Sequence, residues 1–318
     1  MNERTLGRTG LRCSEIGLGT WAFASTAYGA CAGRDARETV RAALDLGVTL
    51  FDTAPMYGTR KRVGMSEEIL GAALGADRGR VLVSSKFGRY PDPIDGDFSS
   101  RRARESVEGS LKRLGTDRLD VLFFHSPFGP EEVSDDVWGE LESLKREGKI
   151  RFVGHSVSAF ERTQGMARDW AAERKIDLVQ VVYSLLNRES AVLIRDLGQD
   201  GVAVLAREAL ANGFLSGTVG PDTVFPKDNL NSRYGRREIL DRVEQAGRLS
   251  FLVRGDVRSL PQAAYRWILD NGDVSVALSG AKSRAELEEV VAASRARPYS
   301  PEEHARSDAL HARDFAAA

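Results

Sequence analysis

Short, continuous apolar runs recur along the chain and constrain its fold more than any other feature of the sequence. Runs such as VLVSS at 81–85 and VLFF at 121–124 are uninterrupted instead of alternating with polar residues. Continuous runs of this length are typical of parallel strands covered on both faces. We therefore predict eight strands, at Glu15–Trp21, Thr49–Thr53, Val81–Lys86, Asp120–His125, Arg151–Ser156, Leu178–Tyr183, Val202–Arg207 and Val274–Ser279.

Amphipathic stretches between these runs predict helices. The clearest of them cover 34–47, 100–114, 135–149 and 283–294. Gly47 and Gly115 stand where glycine commonly follows a helix C-terminus. Ser283, with Glu286 three residues later, has the sequence of a capping box.

The alternation of strands and helices predicts a (β/α)8 TIM barrel, and a doubly wound open sheet is the alternative. No Pro/Gly/Ser-rich linker divides the chain, so we expect a single domain over residues 1–318. The GRTG turn at 7–10 predicts a short N-terminal β-hairpin that caps the barrel bottom. The turn-rich stretch 213–235 predicts a long loop near the site.

Charge and cysteine content exclude several function classes. The 45 Lys and Arg residues balance 46 Asp and Glu residues, which argues against a nucleic-acid partner. No apolar run approaches the roughly 18 residues of a membrane helix, and the first residues lack the apolar core of a signal peptide. Two cysteines and four histidines without zinc-type spacing predict no metal site and fit a reducing cytoplasm, so we expect a cytoplasmic protein.

Ionisable residues end three consecutive apolar runs. These are Asp52, Lys86 and His125, and Tyr57 follows in the loop after the second strand. Catalytic groups of α/β barrels collect at the carboxyl ends of the strands, and an isolated buried charge there would cost several kcal/mol. We therefore expect these side chains to meet at one barrel mouth.

This set of residue types suits proton transfer to a carbonyl oxygen. A free tyrosine has a pKa of about 10, and a neighbouring ammonium group lowers that value. Asp52 would hold Lys86 in place, and His125 would orient a substrate oxygen. Each residue also has a structural interpretation: Asp52 as a turn residue, Lys86 as a solvated strand end, Tyr57 as a rim residue and His125 as a core histidine.

Several motifs resemble the aldo-keto reductase superfamily. They are FDTAPMYG (51–58), SSKFG (84–88) and FFHSP (123–127), supported by RTLGRTGLRCSEIGLGTW (4–21), QVVYSLLNR (180–188) and SGAKSRAELEEVV (279–291). The resemblance implies a barrel that binds a nicotinamide cofactor without a Rossmann fold. It implies that Tyr57 is the proton donor, that Lys86 and Asp52 lower its pKa, and that His125 orients the substrate. Relatives that reduce carbon–carbon double bonds tend to have Glu in place of this histidine, so His125 favours carbonyl reduction.

The resemblance also implies cofactor contacts along the chain. They are Gly19, Thr20, Trp21, Asp52, Ser156, Gln180, Arg207, Leu210, Gly213, Ser216, Gly280, Lys282, Ser283, Arg284 and Glu289. Ser156 and Gln180 match positions that bind the nicotinamide carboxamide, and Arg207 a position that stacks on the nicotinamide ring. Lys282 and Arg284, at a helix start suited to phosphate, favour NADP(H) over NAD(H).

Some positions depart from the family pattern. Val157 follows Ser156 where an Asn is common, Glu286 stands where some members have a basic phosphate ligand, and Val290 replaces an Asn near adenine. NAD(H) is therefore the alternative cofactor. The segment after Tyr57 is longer than usual and contains a basic cluster, Arg60–Arg62, which is either a solvated loop or a recognition element for an anionic substrate.

Aromatic residues near the strand ends predict a substrate pocket. Its members are Trp21, Phe87, Tyr90 and Phe128, with Phe23, Tyr28 and the 213–235 loop as further candidates. Rim packing is the structural alternative for these aromatics. GLGTWA at 17–22 matches a dinucleotide fingerprint, but no helical pattern follows it directly, which argues against a Rossmann fold.

The sequence therefore predicts an NAD(P)H-dependent reductase of a small aldehyde or ketone. The alternatives are a cofactor-binding regulatory subunit, similar to the superfamily's potassium-channel β subunits, and a narrow sugar- or secondary-metabolite-tailoring reductase. The sequence names neither the substrate nor the choice between monomer and homo-oligomer.

Overall fold

A closed barrel of eight parallel strands forms the centre of the computed structural model, which describes residues 1–24, 31, 33–59, 61–90 and 96–316. The barrel strands are β3 (Ile16–Gly19), β4 (Leu50–Asp52), β5 (Leu82–Phe87), β6 (Leu119–His125), β7 (Ile150–Ser156), β8 (Leu178–Val182), β9 (Ala203–Arg207) and β10 (Val276–Ser279). Each strand pairs in parallel with the next, and β10 closes the sheet on β3. The predicted strands and the TIM barrel are confirmed, and the open sheet is excluded.

Helices surround this barrel. They are α1 (Gly33–Asp45), α2 (Met65–Leu74), α3 (Ser100–Leu114), α4 (Val137–Arg146), α5 (Phe160–Ala172), α6 (Ala191–Gln199), α7 (Arg236–Arg248), α8 (Leu260–Leu269), α9 (Arg284–Ala292) and α10 (Pro301–Ala312). Helix α3 ends as predicted, because Gly115 adopts a left-handed conformation with φ of 63° and its N–H bonds back into the last turn. At α9 the capping box forms only in part: Ser283 Oγ accepts from Glu286 N, but the Glu286 carboxylate accepts from Lys282 N instead of Ser283 N.

Two antiparallel strands, β1 (Glu3–Thr5) and β2 (Arg12–Ser14), form the predicted hairpin. Leu6 and Cys13 of this hairpin segment are buried in one cluster with side chains from inside the barrel. The hairpin loop approaches the backbone before β9 closely, since Arg8 N donates to Gly201 O at 2.6 Å and a Cβ on Gly7 would lie 2.2 Å from the same oxygen. The hairpin therefore caps the amino-terminal end of the barrel.

Alternation along β5 decides which side chains face the site. Ser84 and Lys86 bond to Asp52 at the end of β4. Ser85 points the other way, because its Oγ donates to Glu67 on α2 at 2.7 Å. Phe87 is also on the outer face, where it packs in the large cluster between barrel and helices. Successive strand residues face opposite sides of a sheet, so one strand supplies both the site and the outer core.

The chain after β9 is irregular, as predicted. A 3-10 turn at Ala211–Gly213 and another at Leu230–Arg233 interrupt it before α7 begins at Arg236. None of the helices in the described ranges has the length and apolar character that crossing a bilayer requires. Within the same ranges, no group of three His, Cys, Asp or Glu side chains is arranged to hold a metal ion.

A buried aromatic cluster fills the space between β6, β7 and the helices α4 and α5. The Phe124 ring packs against Trp138 and Trp170, with ring centroids 5.1 and 4.9 Å apart. His155 is fully buried in this cluster, edge-on to Trp170. Burial lowers the pKa of His155 to about 3, because the cluster disfavours a charged imidazolium.

We expect His155 to make the protein acid-sensitive. The unfolded chain binds a proton at this histidine below about pH 6.5 while the folded chain does not, so folding stability falls as the pH drops from 6.5 towards 3. Between pH 7 and pH 5 the contribution amounts to about 2 kcal/mol. Urea denaturation of the wild type and of His155→Leu at both pH values measures it. The variant should lose about 2 kcal/mol less than the wild type on acidification, and equal losses would contradict the assignment.

Candidate active site

The Lys86 ammonium group is the centre of the barrel mouth. Its Nζ donates to Asp52 Oδ2 at 2.6 Å, to the Thr53 carbonyl at 2.9 Å and to the Tyr57 hydroxyl at 3.0 Å. The Lys86 side chain is only 1% exposed, and that of Asp52 is 5% exposed. All three donor positions of the ammonium group are therefore used, and the buried charge has both a counter-charge and neutral acceptors.

The second carboxylate oxygen of Asp52 connects this centre to β5 and, across the barrel, to β8. Asp52 Oδ1 accepts from Ser84 Oγ at 2.7 Å and from Gln180 Nε2 at 3.2 Å. Gln180 Oε1 in turn accepts from Ser156 Oγ at 3.4 Å. The ends of β4, β5, β7 and β8 thus share one polar network that reaches the Tyr57 phenol.

The protonation states suit an acid at neutral pH. Burial by itself lowers the pKa of Lys86, but the Asp52 carboxylate and the Tyr57 oxygen outweigh that effect and raise the pKa, so Lys86 stays charged. Burial raises the pKa of Tyr57 above its ordinary value, while the Lys86 ammonium group acts in the opposite direction. Lys86 acts with the predicted sign, but Asp52, expected to help lower the pKa of Tyr57, raises it through its negative charge. The net shift is nevertheless upward, so Tyr57 is a protonated phenol at neutral pH in this structure.

His125 lies at the end of β6 with its ring edge against Tyr57. The two ring centroids are 5.8 Å apart at an interplanar angle of 81°. Burial, followed by the charges of Lys86, Arg207 and Arg89, lowers the pKa of His125 well below its ordinary value. The imidazole is therefore neutral, and one ring nitrogen carries a proton that can be donated to an oxygen.

The end of the first barrel strand also lies at this mouth. Thr20 N and Oγ1 both donate to the Asp52 carbonyl, at 2.9 and 3.1 Å. Gly19 pairs with Asp52 in the sheet, and the Trp21 ring stacks on Tyr57 with ring centroids 6.3 Å apart. These three residues, predicted to touch a cofactor or substrate, are brought next to the catalytic candidates.

Arg207 ends β9 beside the same network. Its Nη2 donates to the Val157 carbonyl at 3.1 Å, and Nη1 bonds to Glu208. The charge of Arg207 acts on both Tyr57 and His125, which places the guanidinium close to the mouth. The structure therefore brings Ser156, Gln180 and Arg207 to one side of the Tyr57 phenol.

The loop after β9 has an unusual backbone. Glu208, Ala211, Asn212 and Gly213 all have φ between 48° and 94°. Most backbone N–H groups of this turn are used within it: Ala211 N donates to Glu208 O at 2.7 Å, and Gly213 N donates to Leu210 O at 2.9 Å. Leu210 and Ser216 flank this turn; Ser216 is half-buried and shares a hydrogen bond of 2.7 Å with Thr218.

The start of α9 carries the remaining predicted cofactor residues. Gly280 is exposed, with no atom within 4 Å of a Cβ built on it. Lys282 N already donates to Glu286, and Arg284 is paired with Asp45 and Glu288. Glu289 is half-buried on the same helix.

A nicotinamide dinucleotide fits this arrangement of donors. A carboxamide can exchange hydrogen bonds with Ser156 and Gln180, whereas the turn after β9 keeps most of its backbone N–H groups bonded internally. The carboxylates at the start of α9 make that end less suited to an additional phosphate group.

Only two of the four predicted pocket aromatics lie where a substrate could meet them. Phe87 is fully buried and packs on Phe98 and Phe124, away from the mouth. Tyr90 bonds through its hydroxyl to Ser106 on α3 at 2.7 Å. The strand alternation described above explains Phe87, because its neighbour Lys86 faces inward.

Trp21 and Phe128 keep exposed surface. Trp21 is half-buried on Tyr57, and Phe128 is 42% exposed. Phe23 is buried in the 3-10 turn at Trp21–Phe23. Tyr28 and Arg60 lie outside the described residues.

Three residues that the sequence reasoning passed over belong to the site's surroundings. Ser84 precedes Lys86 by two residues and therefore faces the same side of β5, so the strand pattern alone could have placed it at the site. Ser126 Oγ lies 3.3 Å from Ser156 Oγ and extends the polar network to the loop after β6. Arg89 follows β5 and is almost completely buried. In the sequence, only its position close to a predicted strand end indicated that it could belong to the site.

Comparison with known proteins agrees with this geometry. The model of the Aldo/keto reductase family matches residues 15–312. The chain belongs to the aldo/keto reductase family. Its members are oxidoreductases that act on small carbonyl compounds with nicotinamide cofactors, so the family expectation from the motifs is confirmed.

Relatives match this family member over nearly its whole length. The aldo-keto reductase YhdN of Bacillus subtilis is 34% identical over 301 residues, covering 91% of this chain and 87% of the relative. The L-galactose dehydrogenase of Arabidopsis thaliana is 31% identical, with coverage of 91% and 87%. Among solved structures, the glycerol dehydrogenase AKR11B4 from Gluconobacter oxydans superposes with a TM-score of 0.81 at 29% identity, covering 98% of this chain and 95% of that one.

We expect Asp52 to be needed for folding stability as well as for the site. Replacing one member of a buried ion pair leaves an uncompensated charge and costs about 3 to 5 kcal/mol. Asp52→Asn should lower the free energy of unfolding by that amount in chemical denaturation. The control is Glu68→Gln, which breaks the exposed pair with Arg62 and should cost less than about 1 kcal/mol. Equal effects of the two substitutions would contradict the buried-pair interpretation.

Proposed function

We propose that the protein is an NAD(P)H-dependent reductase that converts an aldehyde or ketone into an alcohol, with Tyr57 as the general acid. The observation that carries the proposal is the bond from Lys86 Nζ to the Tyr57 hydroxyl, in a buried site that also contains a neutral His125. A bound nicotinamide cofactor supplies the hydride that reaches the carbonyl carbon. The protein has to bind the carbonyl oxygen and deliver one proton to it.

Tyr57 holds that proton until negative charge develops on the substrate oxygen. Its raised pKa keeps the phenol protonated at neutral pH, so the acid form is present before the reaction begins. As the proton leaves, a phenolate forms, and the Lys86 ammonium group 3.0 Å away stabilises it. Asp52 keeps Lys86 charged and in place throughout.

His125 orients the carbonyl oxygen. Its neutral ring can donate one hydrogen bond to that oxygen, from a position edge-on to Tyr57. Two donors of different types then converge on one oxygen, which fixes its position and stabilises charge that develops there. A protonated imidazolium would add a third positive charge beside Lys86 and Arg207, and burial prevents it.

The cofactor would be held along one side of the mouth. Ser156 and Gln180 suit the carboxamide, the segment with Leu210, Gly213 and Ser216 would lie along the pyrophosphate, and the start of α9 would lie at the adenosine end. The charges of Lys282 and Arg284 favour NADP(H), but the carboxylates that pair with them oppose an additional phosphate group, so NAD(H) is the alternative.

The substrate is a small carbonyl compound or the corresponding alcohol. The names of two relatives, an L-galactose dehydrogenase and a glycerol dehydrogenase, add polyhydroxylated compounds to the candidates. A panel of methylglyoxal, DL-glyceraldehyde and 4-nitrobenzaldehyde with each reduced cofactor, and of L-galactose and glycerol with each oxidised cofactor, tests the reaction and its direction. Tight cofactor binding without turnover of any compound would favour the regulatory-subunit alternative.

Removing the Tyr57 hydroxyl should abolish turnover and preserve cofactor binding. A positioned general acid contributes about a hundredfold or more, so Tyr57→Phe should lower kcat by at least that factor. Quenching of tryptophan fluorescence by NADPH measures whether the cofactor still binds. The control is Tyr90→Phe, which removes a hydroxyl bonded to α3 and should leave kcat within about twofold. Turnover by Tyr57→Phe at the wild-type rate would overturn the assignment.

Glu286 should weaken the binding of NADPH relative to the binding of NADH. Its carboxylate lies at the start of α9 and accepts a hydrogen bond from Lys282 N, which a 2′-phosphate would have to replace. We expect Glu286→Gln to improve the ratio of NADPH to NADH affinity by about threefold, the size of one exposed charge interaction. Fluorescence titration with both cofactors measures the ratio. Glu105→Gln on α3 is the control and should leave it unchanged; an unchanged ratio in Glu286→Gln would show that the adenosine phosphate lies elsewhere.

A further inference from the structure

We propose that Arg89 is a positioning residue for His125: it anchors the backbone turn that follows the histidine and so sets where the imidazole meets the substrate oxygen. The inference rests on the proposed carbonyl reduction for its kinetic consequence. Its structural consequence, a change at His125, can be measured without any substrate.

Arg89 is a buried connection between the loops after β5 and β6. Its Nε donates to the Ser126 carbonyl at 3.0 Å, and its Nη2 donates to Glu132 Oε2 at 2.6 Å. The guanidinium carbon lies over the Phe128 ring, 3.7 Å from its centroid. The side chain is only 4% exposed, so these contacts are shielded from water. A planar guanidinium can make all of them at once, whereas a lysine could not.

Glu132 completes the connection. The same carboxylate oxygen that accepts from Arg89 also accepts from Phe128 N at 2.8 Å. Arg89 and Glu132 therefore hold the segment from Ser126 to Phe128 from both sides, through its first carbonyl and through the N–H and ring of Phe128.

The segment that they hold needs an external restraint. Ser126 directly follows His125 and has φ of 58°, a left-handed conformation that non-glycine residues rarely adopt. Such conformations persist where surrounding contacts determine them. The bond from Arg89 to the Ser126 carbonyl is a contact of this kind, beside the 3.3 Å contact between Ser126 Oγ and Ser156 Oγ.

The His125 ring has few restraints of its own. Its Nδ1 is buried and has no hydrogen-bond partner among the described residues. The ring is therefore held by its edge contact with Tyr57 and by its backbone, which pairs with Ser156 in the sheet and leads directly into the turn at Ser126. The bond from Arg89 to the carbonyl of the next residue, Ser126, places the guanidinium beside this backbone, and its charge also lowers the pKa of His125.

The amino-terminal ends of β5 and β6 offer a matched control. Arg78 donates to the Val81 and Arg118 carbonyls at 2.9 and 2.8 Å, and to the buried Asp120 carboxylate at 3.0 Å. It connects the starts of β5 and β6 with the kinds of bonds that Arg89 makes beyond their ends. Arg78→Lys should therefore cost comparable stability without reaching His125.

The test compares Arg89→Lys with Arg78→Lys in the full-length protein. Lysine keeps the positive charge but lacks the planar set of N–H donors of a guanidinium, so the substitution tests the hydrogen-bond geometry and not the charge. With 4-nitrobenzaldehyde as the probe, we expect Arg89→Lys to lower kcat by about tenfold with the affinity for NADPH unchanged, because a small misplacement of an orienting group is costly. Arg78→Lys should keep the wild-type kcat.

Nuclear magnetic resonance of histidine-labelled protein gives a readout independent of turnover. The chain has four histidines, and a His125→Asn variant assigns the His125 resonance. Arg89→Lys should shift that resonance, and Arg78→Lys should leave it in place. Should Arg89→Lys fail to fold, Glu132→Gln, which removes the carboxylate that holds the guanidinium, should move the same resonance.

The outcomes separate the two proposals. A shifted His125 resonance with reduced kcat supports the positioning role. A wild type that turns over no carbonyl compound refutes the proposed function, while the resonance still tests the link between Arg89 and His125. An unmoved resonance in Arg89→Lys, or equal changes in kcat for Arg89→Lys and Arg78→Lys, would overturn the inference.

Discussion

The bond network of one buried ammonium group determines the rest of the site. Lys86 lies near the carboxyl end of β5 and is almost completely shielded from water, where an unpaired charge would be strongly unfavourable. Asp52, the Thr53 carbonyl and the Tyr57 hydroxyl satisfy it completely. The loop after β4 must therefore fold back over the mouth so that Tyr57 reaches the lysine, and Asp52 must be held by Gln180 from the far side of the barrel. The closed sheet is what brings these strand ends within reach of one another.

The burial of the site also determines the protonation states of its residues. Burial raises the pKa of the Tyr57 phenol and lowers that of His125. Both groups are therefore neutral at physiological pH, and both can donate a proton or a hydrogen bond. The Lys86 ammonium group does not make the phenol a stronger acid than free tyrosine in this structure. Its role is to stabilise the phenolate once the proton has left, which is a contribution to the transition state and not to the ground state.

Continuous apolar runs that alternate with helical patterns predicted a parallel α/β fold and favoured a barrel over an open sheet. Polar residues at three run ends pointed to the candidate site. What the sequence could not supply is the direction of each side chain and the contacts across loops. Phe87 was expected in the pocket, yet it follows the inward-facing Lys86 and so belongs to the outer core. Arg89 was overlooked, since its partners, Ser126 and Glu132, lie 37 and 43 residues further along and are brought near only by the pairing of β5 with β6.

The chemistry of the site depends on a direct effect of the Lys86 charge on the Tyr57 phenol. Titration of the tyrosine ring carbons by nuclear magnetic resonance, in the wild type and in Lys86→Met, tests it without substrate or cofactor; the chain has seven tyrosines, and Tyr57→Phe assigns the resonance. We predict that Tyr57 titrates at a distinctly higher pH once the ammonium group is gone, while the other tyrosines are unaffected. An unchanged pKa of Tyr57 in Lys86→Met would contradict it.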